Sequence, residues 1–530
     1  MSLTLAAGAA ARPALRAGRF LEQALLLSLA CHLLAMLSMA ALLLPGMPGG
    51  LHAGVAGRMA YVADHPWLWR LGWLPWQLTA LSDLLLALAL LRAPIIPRRP
   101  AVLTFAATVV ALLPDQIGQF LWVTYGVDLA GSGNLAAYSA FEAVTFPWVG
   151  GVAALLYTLA AVGWTWCFAG AGIWARALAP YSAAVWALFA FAALSPILPA
   201  TIQPPAALIA AANALGFVLL ALWMSLVLEL LLRRTRPAAV HGRYAPWRHP
   251  RPILGRPIAL IANSRLLRTI CEYMPTVAFL SDITDVFYVN YIVEADRLAP
   301  LVPPGLELQR LGPGGRYAFF TFLSYNHGHF GPALLGPLRR LLPSPVQTNW
   351  RIHVRDPRTG VQGIYFVTNA INSTLHALPA RMLSEGMPMH VLRRAAIRAT
   401  GDGGWQMALN PGPGTAPDAH AVLHPAAGPP VDGPWRACFP SYLAMLAYCV
   451  PQDRAMSSQP WHARITRQEI HLGIPLAACE PLAGTVVSQA AQAFVGNATP
   501  FCFRVAQVAF RFDREEHDPL YSTMIPMIPT

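Results

Sequence analysis

Leu219-Leu220-Ala221-Leu222-Trp223-Met224-Ser225-Leu226-Val227-Leu228-Glu229-Leu230-Leu231-Leu232-Arg233-Arg234-Thr235-Arg236 divides the chain in two. It ends the last of six apolar runs, read at 21–44, 73–92, 102–124, 148–168, 181–199 and 208–232. Each run is close to the roughly 20 residues that an α-helix needs to cross about 30 Å of hydrocarbon. The averages of 56% hydrophobic and 12% charged residues over 530 positions therefore blend an oil-like first half with an ordinary globular second half. An even number of crossings puts both ends of the apolar half on one side, and arginine placement says which. Arg12, Arg16 and Arg19 precede the first run, Arg92, Arg98 and Arg99 separate the second and third, Arg176 separates the fourth and fifth, and Arg233, Arg234 and Arg236 follow the sixth. The opposite loops hold only Arg58 and Arg70. The bias predicts an integral protein of a bacterial inner membrane, with the N-terminus and the C-terminal domain in the cytoplasm. Ser38-Met39-Ala40 resembles a leader cleavage site, but the apolar run continues past it and is too long for a leader.

The net charge of +12 has one source: all 37 basic residues are arginine and the chain contains no lysine. Part of that charge sits at inner membrane ends, and Arg233 to Arg256 reads as a basic, proline-broken linker close to anionic headgroups. A nucleic-acid partner is not needed to explain it; the expected partners are the lipid bilayer and a small molecule. The seven cysteines, Cys31, Cys167, Cys271, Cys438, Cys449, Cys479 and Cys502, include no C-x-x-C pair, which predicts free thiols in a cytoplasmic domain.

The expected order is a cytoplasmic tail at 1–20, a six-helix membrane domain at 21–232, the linker at 233–283 and a cytoplasmic domain at 284–530. Ser264 to Met274 is a helical candidate whose Leu266, Leu267, Ile270 and Cys271 share one face, suited to the membrane surface or to the domain. From 284 the pattern turns to period two with β-branched and aromatic residues. Val286–Val293, Tyr317–Ser324, Asn349–Arg355, Gly363–Ala370, His462–Ile470 and Phe503–Phe512 read as strands. Asp356-Pro357-Arg358-Thr359-Gly360 is a turn joining two of them, and Gly401-Asp402-Gly403-Gly404 is another. Leu378–Glu385 and Tyr442–Val450 read as helices, and 410–434, rich in proline, glycine and alanine, as a poorly ordered loop. The fold class is an α-helical six-span membrane domain followed by a mainly-β (α+β) barrel domain.

Three segments carry a family resemblance: Ile292-Val293-Glu294-Ala295-Asp296-Arg297-Leu298-Ala299-Pro300-Leu301-Val302-Pro303-Pro304-Gly305-Leu306-Glu307-Leu308, Gln347-Thr348-Asn349-Trp350-Arg351-Ile352-His353-Val354 and Gly363-Ile364-Tyr365-Phe366-Val367. In this order they resemble the YqjF-like domains of unknown function in the acetoacetate-decarboxylase-like superfamily, over residues 284–520. The resemblance implies a mostly antiparallel barrel with a central pocket. Decarboxylases of that superfamily form a Schiff base through a lysine; a lysine-free chain has no side-chain primary amine to do so, which excludes that chemistry. Relatives often carry a glutamate where this chain has Gln347.

The candidates for the pocket are Asn349, Arg351, His353, Tyr365 and Glu385. Asn349, Arg351, His353 and Arg355 alternate with Trp350, Ile352 and Val354, so one strand face is polar and the other apolar. If the polar face looks inward, Arg351 offers a forked donor to a carboxylate or phosphate; otherwise Trp350 fills the barrel. His327 and His329, at i and i+2, form a metal site only if Glu469 and His471 lie on a neighbouring strand. Glu385 and His390 flank Gly386-Met387-Pro388 as an acid-base candidate. No metal or cofactor is expected, and no Walker loop, dinucleotide fingerprint or G-x-S-x-G elbow occurs.

In the apolar half, Asp83 and Asp115 each fall about 14 Å from the outer end of a span at 1.5 Å per residue. With Gln119 they form a membrane polar cluster, read either as a proton-sharing site or as hydrogen bonds holding helices together; His32 and Glu229 are weaker cases. The leading expectation is a membrane protein whose barrel binds a small acidic or lipophilic molecule. The alternatives are an enzyme acting on a membrane-derived substrate and a small transporter regulated by the barrel.

Overall fold

A computed structural model describes residues 2–519 apart from 53, 200, 237, 238, 276, 431, 451, 452, 460, 461 and 463. It forms two compact units, Met1–Thr235 and Arg236–Thr530. In the first, six helical stretches are long and apolar enough to cross a membrane: Gly18–Gly46, Pro66–Arg92, Arg98–Gly131, Leu135–Gly170, Arg176–Ile197 and Ala206–Thr235. Each of the six runs read from the sequence falls on one of them.

This unit is inside out with respect to a water-soluble bundle. Along the Arg98–Val123 helix, Thr104, Thr108, Asp115 and Gln119 are buried, whereas Leu103, Val110, Leu113, Ile117 and Phe120 are more than half exposed. Apolar side chains facing out and polar ones facing in suit hydrocarbon surroundings, where backbone groups are satisfied within each helix. Close approach needs small residues: a Cβ on Gly163 would collide with Thr104 Oγ1.

The second unit is mainly β. Its strands are β1 (Phe279–Glu294), β2 (Glu307–Leu308), β3 (Tyr317–Pro332), β4 (Val346–Arg355), β5 (Gln362–Ile371), β6 (His390–Val391), β7 (Arg394–Ala399), β8 (Trp405–Asn410), β9 (Ala419–Pro425), β10 (Arg454–Gln459), β11 (Arg464–His471), β12 (Glu480–Val487) and β13 (Phe501–Pro519). The order β1-β3-β4-β5-β10-β11-β13 closes on itself because β13 also pairs with β1. β12, β9, β8 and β7 continue from β13. They cover the outer face of the ring, where Phe287, Phe320, Trp350 and Ile352 pack with Met407, Leu409, Ala421 and Leu423. Two-sided burial explains why Trp350 is fully buried without filling the barrel.

Two expectations change. The 410–434 segment contains β9, paired on both sides by β8 and β12; its inward residues, Ala419, Ala421 and Leu423, are too small for their alternation to stand out among prolines and glycines. Residues 236–283, most of the expected linker, belong to the second unit. Two of its arginines are bound by carbonyls: Arg268 Nη1 donates to the Arg243 carbonyl at 2.7 Å and Arg243 Nη2 to that of Met382 at 2.6 Å. Arg381 donates to the carbonyls of Ala262, Pro388 and Ala245 at 3.1, 2.7 and 2.7 Å. The Arg265–Cys271 helix accordingly buries Arg265, Arg268 and Thr269, the face opposite to the leucine face expected from its sequence. A planar guanidinium with five donors can satisfy several carbonyls at once, which an apolarity pattern does not reveal.

Candidate functional site

β4 supplies the centre of the site. Its odd-numbered residues 349, 351 and 353 point into the ring and its even-numbered ones into the outer core, as a period of two requires. Between β4 and β5 the register slips by one: Trp350 pairs with Thr368 and Arg351 with Phe366, leaving Val367 as a bulge. The Val367 carbonyl is taken by the amide of Gly242 at 3.3 Å. Gly242 has φ of 79°, and a Cβ there would lie 2.5 Å from the Tyr365 hydroxyl, so this position is reserved for glycine.

Inside the ring lies a cavity of about 40 Å³. A water needs some 10–15 Å³ on this measure, so the space suits about three waters or a small organic acid. Its polar lining is Arg351, Asn349, Tyr288 and Tyr325; the rest is aliphatic or aromatic, including Ile283, Val286, Leu323, Ile364, Phe366, Ile470, Val508 and Phe510. Arg351 is 3% exposed. Its Nη2 donates to the Cys449 carbonyl at 3.2 Å, its guanidinium carbon lies 5.6 Å from the Tyr288 ring centre, and its Nε has no partner. Among the described residues no carboxylate stands within ion-pair distance of it. Burial pushes the Tyr288 hydroxyl up to about 12 despite the neighbouring guanidinium, so it remains a neutral donor.

A polar chain fixes Asn349 beside this arginine. Ser281 Oγ meets His327 Nδ1 at 2.8 Å, and His327 Nε2 meets Gln347 Oε1 at 2.8 Å. Gln347 Nε2 donates to Asn349 Oδ1 at 2.8 Å, and Asn349 Nδ2 donates to the Tyr325 hydroxyl at 3.0 Å. Burial pushes His327 down to about 4, so it is neutral at physiological pH. Gln347 serves here as a neutral link that donates and accepts.

The structure thus brings Asn349 and Arg351 into one cavity and leaves three other candidates outside its lining. His353 shares their strand face but stacks on Tyr448 at 4.6 Å and lies 5.2 Å from Phe319; burial and the Arg351 charge hold it well below its ordinary value. Tyr365 faces the outer core, because its neighbours Ile364 and Phe366 take the inward positions. Glu385 accepts from Arg464 and Thr466, away from the cavity. His390 is bound to Thr415 at 2.9 Å, not to Glu385. Sequence reasoning had no signal for Tyr288 or Tyr325, which face Arg351 only once β1 and β3 are in register.

The four-residue metal reading of His327, His329, Glu469 and His471 fails because β3 and β11 are not neighbours. His329 instead pairs with Asp282 at 3.0 Å and His471 with Asp513 at 2.9 Å. Glu272, Glu385 and His462 do place ligand-type atoms within 4.8 Å of one another. Arg236 and Arg243 meet Glu272 at 3.1 and 3.4 Å, His462 meets it at 2.8 Å, and Arg464 meets Glu385. Burial raises Glu272, but His462 and the two arginines outweigh it and hold the carboxyl at about 2. The cluster is an ion-pair network whose cations already occupy the place of a metal.

Asp83, Asp115 and Gln119 line one cavity in the first unit. Asp83 accepts from Ser28 Oγ at 2.8 Å and lies 3.8 Å from His32 Nε2. Asp115 accepts from Gln119 Nε2 at 2.9 Å and from Gln116 Nε2 at 3.1 Å.

Residues 281–406 match the DUF2071 (YqjF-like) family, described as an uncharacterized conserved protein. No curated protein sequence matches the chain. Among solved structures, the enduracididine biosynthesis enzyme MppR complexed with pyruvate is similar at 13% identity and a TM-score of 0.30, over 47% of this chain and 91% of that one. An acetoacetate decarboxylase-like enzyme from Sphingomonas wittichii RW1 is similar at 8% identity and a TM-score of 0.32, over 46% of this chain and 94% of that one.

Proposed function

We propose that the second unit binds a short-chain carboxylate inside its ring of strands, and that the six apolar helices hold it at a membrane. The carboxylate meets Arg351 and Asn349, and the carbon chain lies on the aliphatic wall. One observation carries this reading: a guanidinium almost without exposure faces a cavity and lacks a counter-charge among the described residues. Burying an ion costs several kcal/mol unless a partner offsets it, and a carboxylate ligand matches the arginine fork. Binding is favoured over catalysis, because the cavity lining includes neither a histidine nor a carboxylate to move a proton. The arginine bias of the loops supports a cytoplasmic second unit and hence a cytoplasmic ligand.

The test is saturation-transfer-difference NMR on the full chain in detergent micelles, with acetate, propionate, butyrate and their amides. The acids are expected to give saturable signals that the amides, lacking charge, do not. Equal signals from acids and amides, or none from either, would overturn the proposal.

A further inference from the structure

The first unit contains a cavity of about 520 Å³, a volume typical of sites for drug-sized molecules. Trp73, Trp76 and Trp122 form much of its wall, and its polar part includes Asp83, Asp115, Gln119, Tyr157 and Asn213. Trp73 and Trp122 lie with ring centres 6.4 Å apart and planes within 14°. Trp76 meets Phe217 edge-on at 5.1 Å.

Ser28 ties Asp83 to the Gly18–Gly46 stretch, Gln116 and Gln119 hold Asp115 from its own helix, and the Tyr157 hydroxyl of the Leu135–Gly170 stretch lies beside Asp115. Every one of these groups beside Asp115 is neutral, and no arginine lines the cavity. The one basic lining residue, His32, has its Nδ1 on the Ser28 carbonyl at 2.8 Å. Independently of the acids, Gln119 Oε1 is a buried acceptor without a partner, on a side chain 3% exposed. Two helices widen to i→i+5 turns at the cavity wall, at Met39–Leu43 and Pro147–Ala153, a distortion frequent at functional sites.

We infer that this cavity binds an organic ammonium ion with a bulky apolar body. The ammonium N–H groups meet Asp115, Asp83 and the free Gln119 oxygen. Aromatic faces attract the cation where water is excluded. A purely apolar guest would leave Asp115 without a cation and the Gln119 acceptor without a donor, and an anion would face two carboxylates. This inference is independent of the carboxylate site in the second unit.

The test is titration of the full chain in detergent, read by quenching of intrinsic tryptophan fluorescence, with 3,3-diphenylpropylamine and the neutral 3,3-diphenylpropan-1-ol. The expected result is saturable binding of the amine at least tenfold tighter than the alcohol. Asp115→Asn is expected to reduce amine affinity tenfold or more and to leave the alcohol unchanged. Amine and alcohol binding within threefold of each other, or an amine affinity that Asp115→Asn does not alter, would overturn the inference. If Asp115→Asn does not yield a monodisperse protein, the amine-to-alcohol ratio on the unmodified chain decides by itself.

Discussion

Replacing Arg351 by methionine separates a binding arginine from a structural one by the sign of its effect. In the unliganded protein the substitution removes one charged hydrogen bond, to the Cys449 carbonyl at 3.2 Å, worth about 1.5–3 kcal/mol. It also removes a buried ion that no described carboxylate neutralises. Exchanging buried ionic groups for apolar ones of similar volume is neutral or stabilising by about 1–4 kcal/mol. The two contributions oppose one another, so unliganded stability changes by no more than about 3 kcal/mol in either direction. With ligand the difference is large. A carboxylate at 100 times its Kd stabilises the unmodified chain by about 2.7 kcal/mol. Losing a two-pronged charged contact of about 3 kcal/mol or more lowers affinity by about 100-fold or more, which removes nearly all of that gain. Thermal unfolding in detergent with and without butyrate reads both arms, since 1 kcal/mol moves the midpoint by about 2–4 °C in domains of 150–250 residues. A loss of 3–5 kcal/mol in unliganded Arg351→Met, together with no butyrate shift in the unmodified chain, would show that Arg351 is half of a satisfied structural pair.

His327 makes stability depend on pH. Its ordinary value is 6.5 and burial brings it to about 4, so between those limits the unfolded chain takes up a proton that the folded chain refuses. Stability falls as pH drops through that window, by about 3 kcal/mol in all, and His327→Gln flattens this part of a urea-denaturation pH series. Arg381→Ala leaves the carbonyls of Pro388 and Ala245 without their donor and removes one of the two donors to Ala262, at a cost of about 2 kcal/mol or more. Arg381→Lys does not restore it, and limited proteolysis shows faster cleavage within 236–272. Incubation with a 2-oxo acid and cyanoborohydride adds no mass to peptides of the second unit, because no side chain can form the imine; an adduct there would contradict the exclusion.

The six long apolar helices and the six strands read from the sequence were legible because each leaves a strong local signal, a continuous apolar run or an alternation of period two. In β4 the alternation of Asn349, Arg351 and His353 with Trp350, Ile352 and Val354 showed that two faces exist, and only closure of β13 on β1 decided which one lines the cavity. β7, β9 and β12 were missed because alanine, glycine and proline give their alternation little contrast. Tyr365 was misplaced for a plain reason: its neighbours face the cavity, so the same motif that marks the strand sends its tyrosine outward. Arg233 to Arg256 was read as a headgroup-facing linker, but Arg243 and Arg236 within it are taken by the Met382 carbonyl and by Glu272, partners distant in sequence that no composition encodes.

The central claim is a carboxylate held on Arg351 inside the ring of strands. A structure of the full chain soaked with 2-bromopropionate tests it directly through the anomalous signal of bromine. The account predicts a peak within the cavity lined by Ile364, Phe366 and Val508, with the carboxylate oxygens at hydrogen-bonding distance from the Arg351 guanidinium. Bromine bound only elsewhere, with Arg351 paired to a carboxylate of the chain itself, would contradict it.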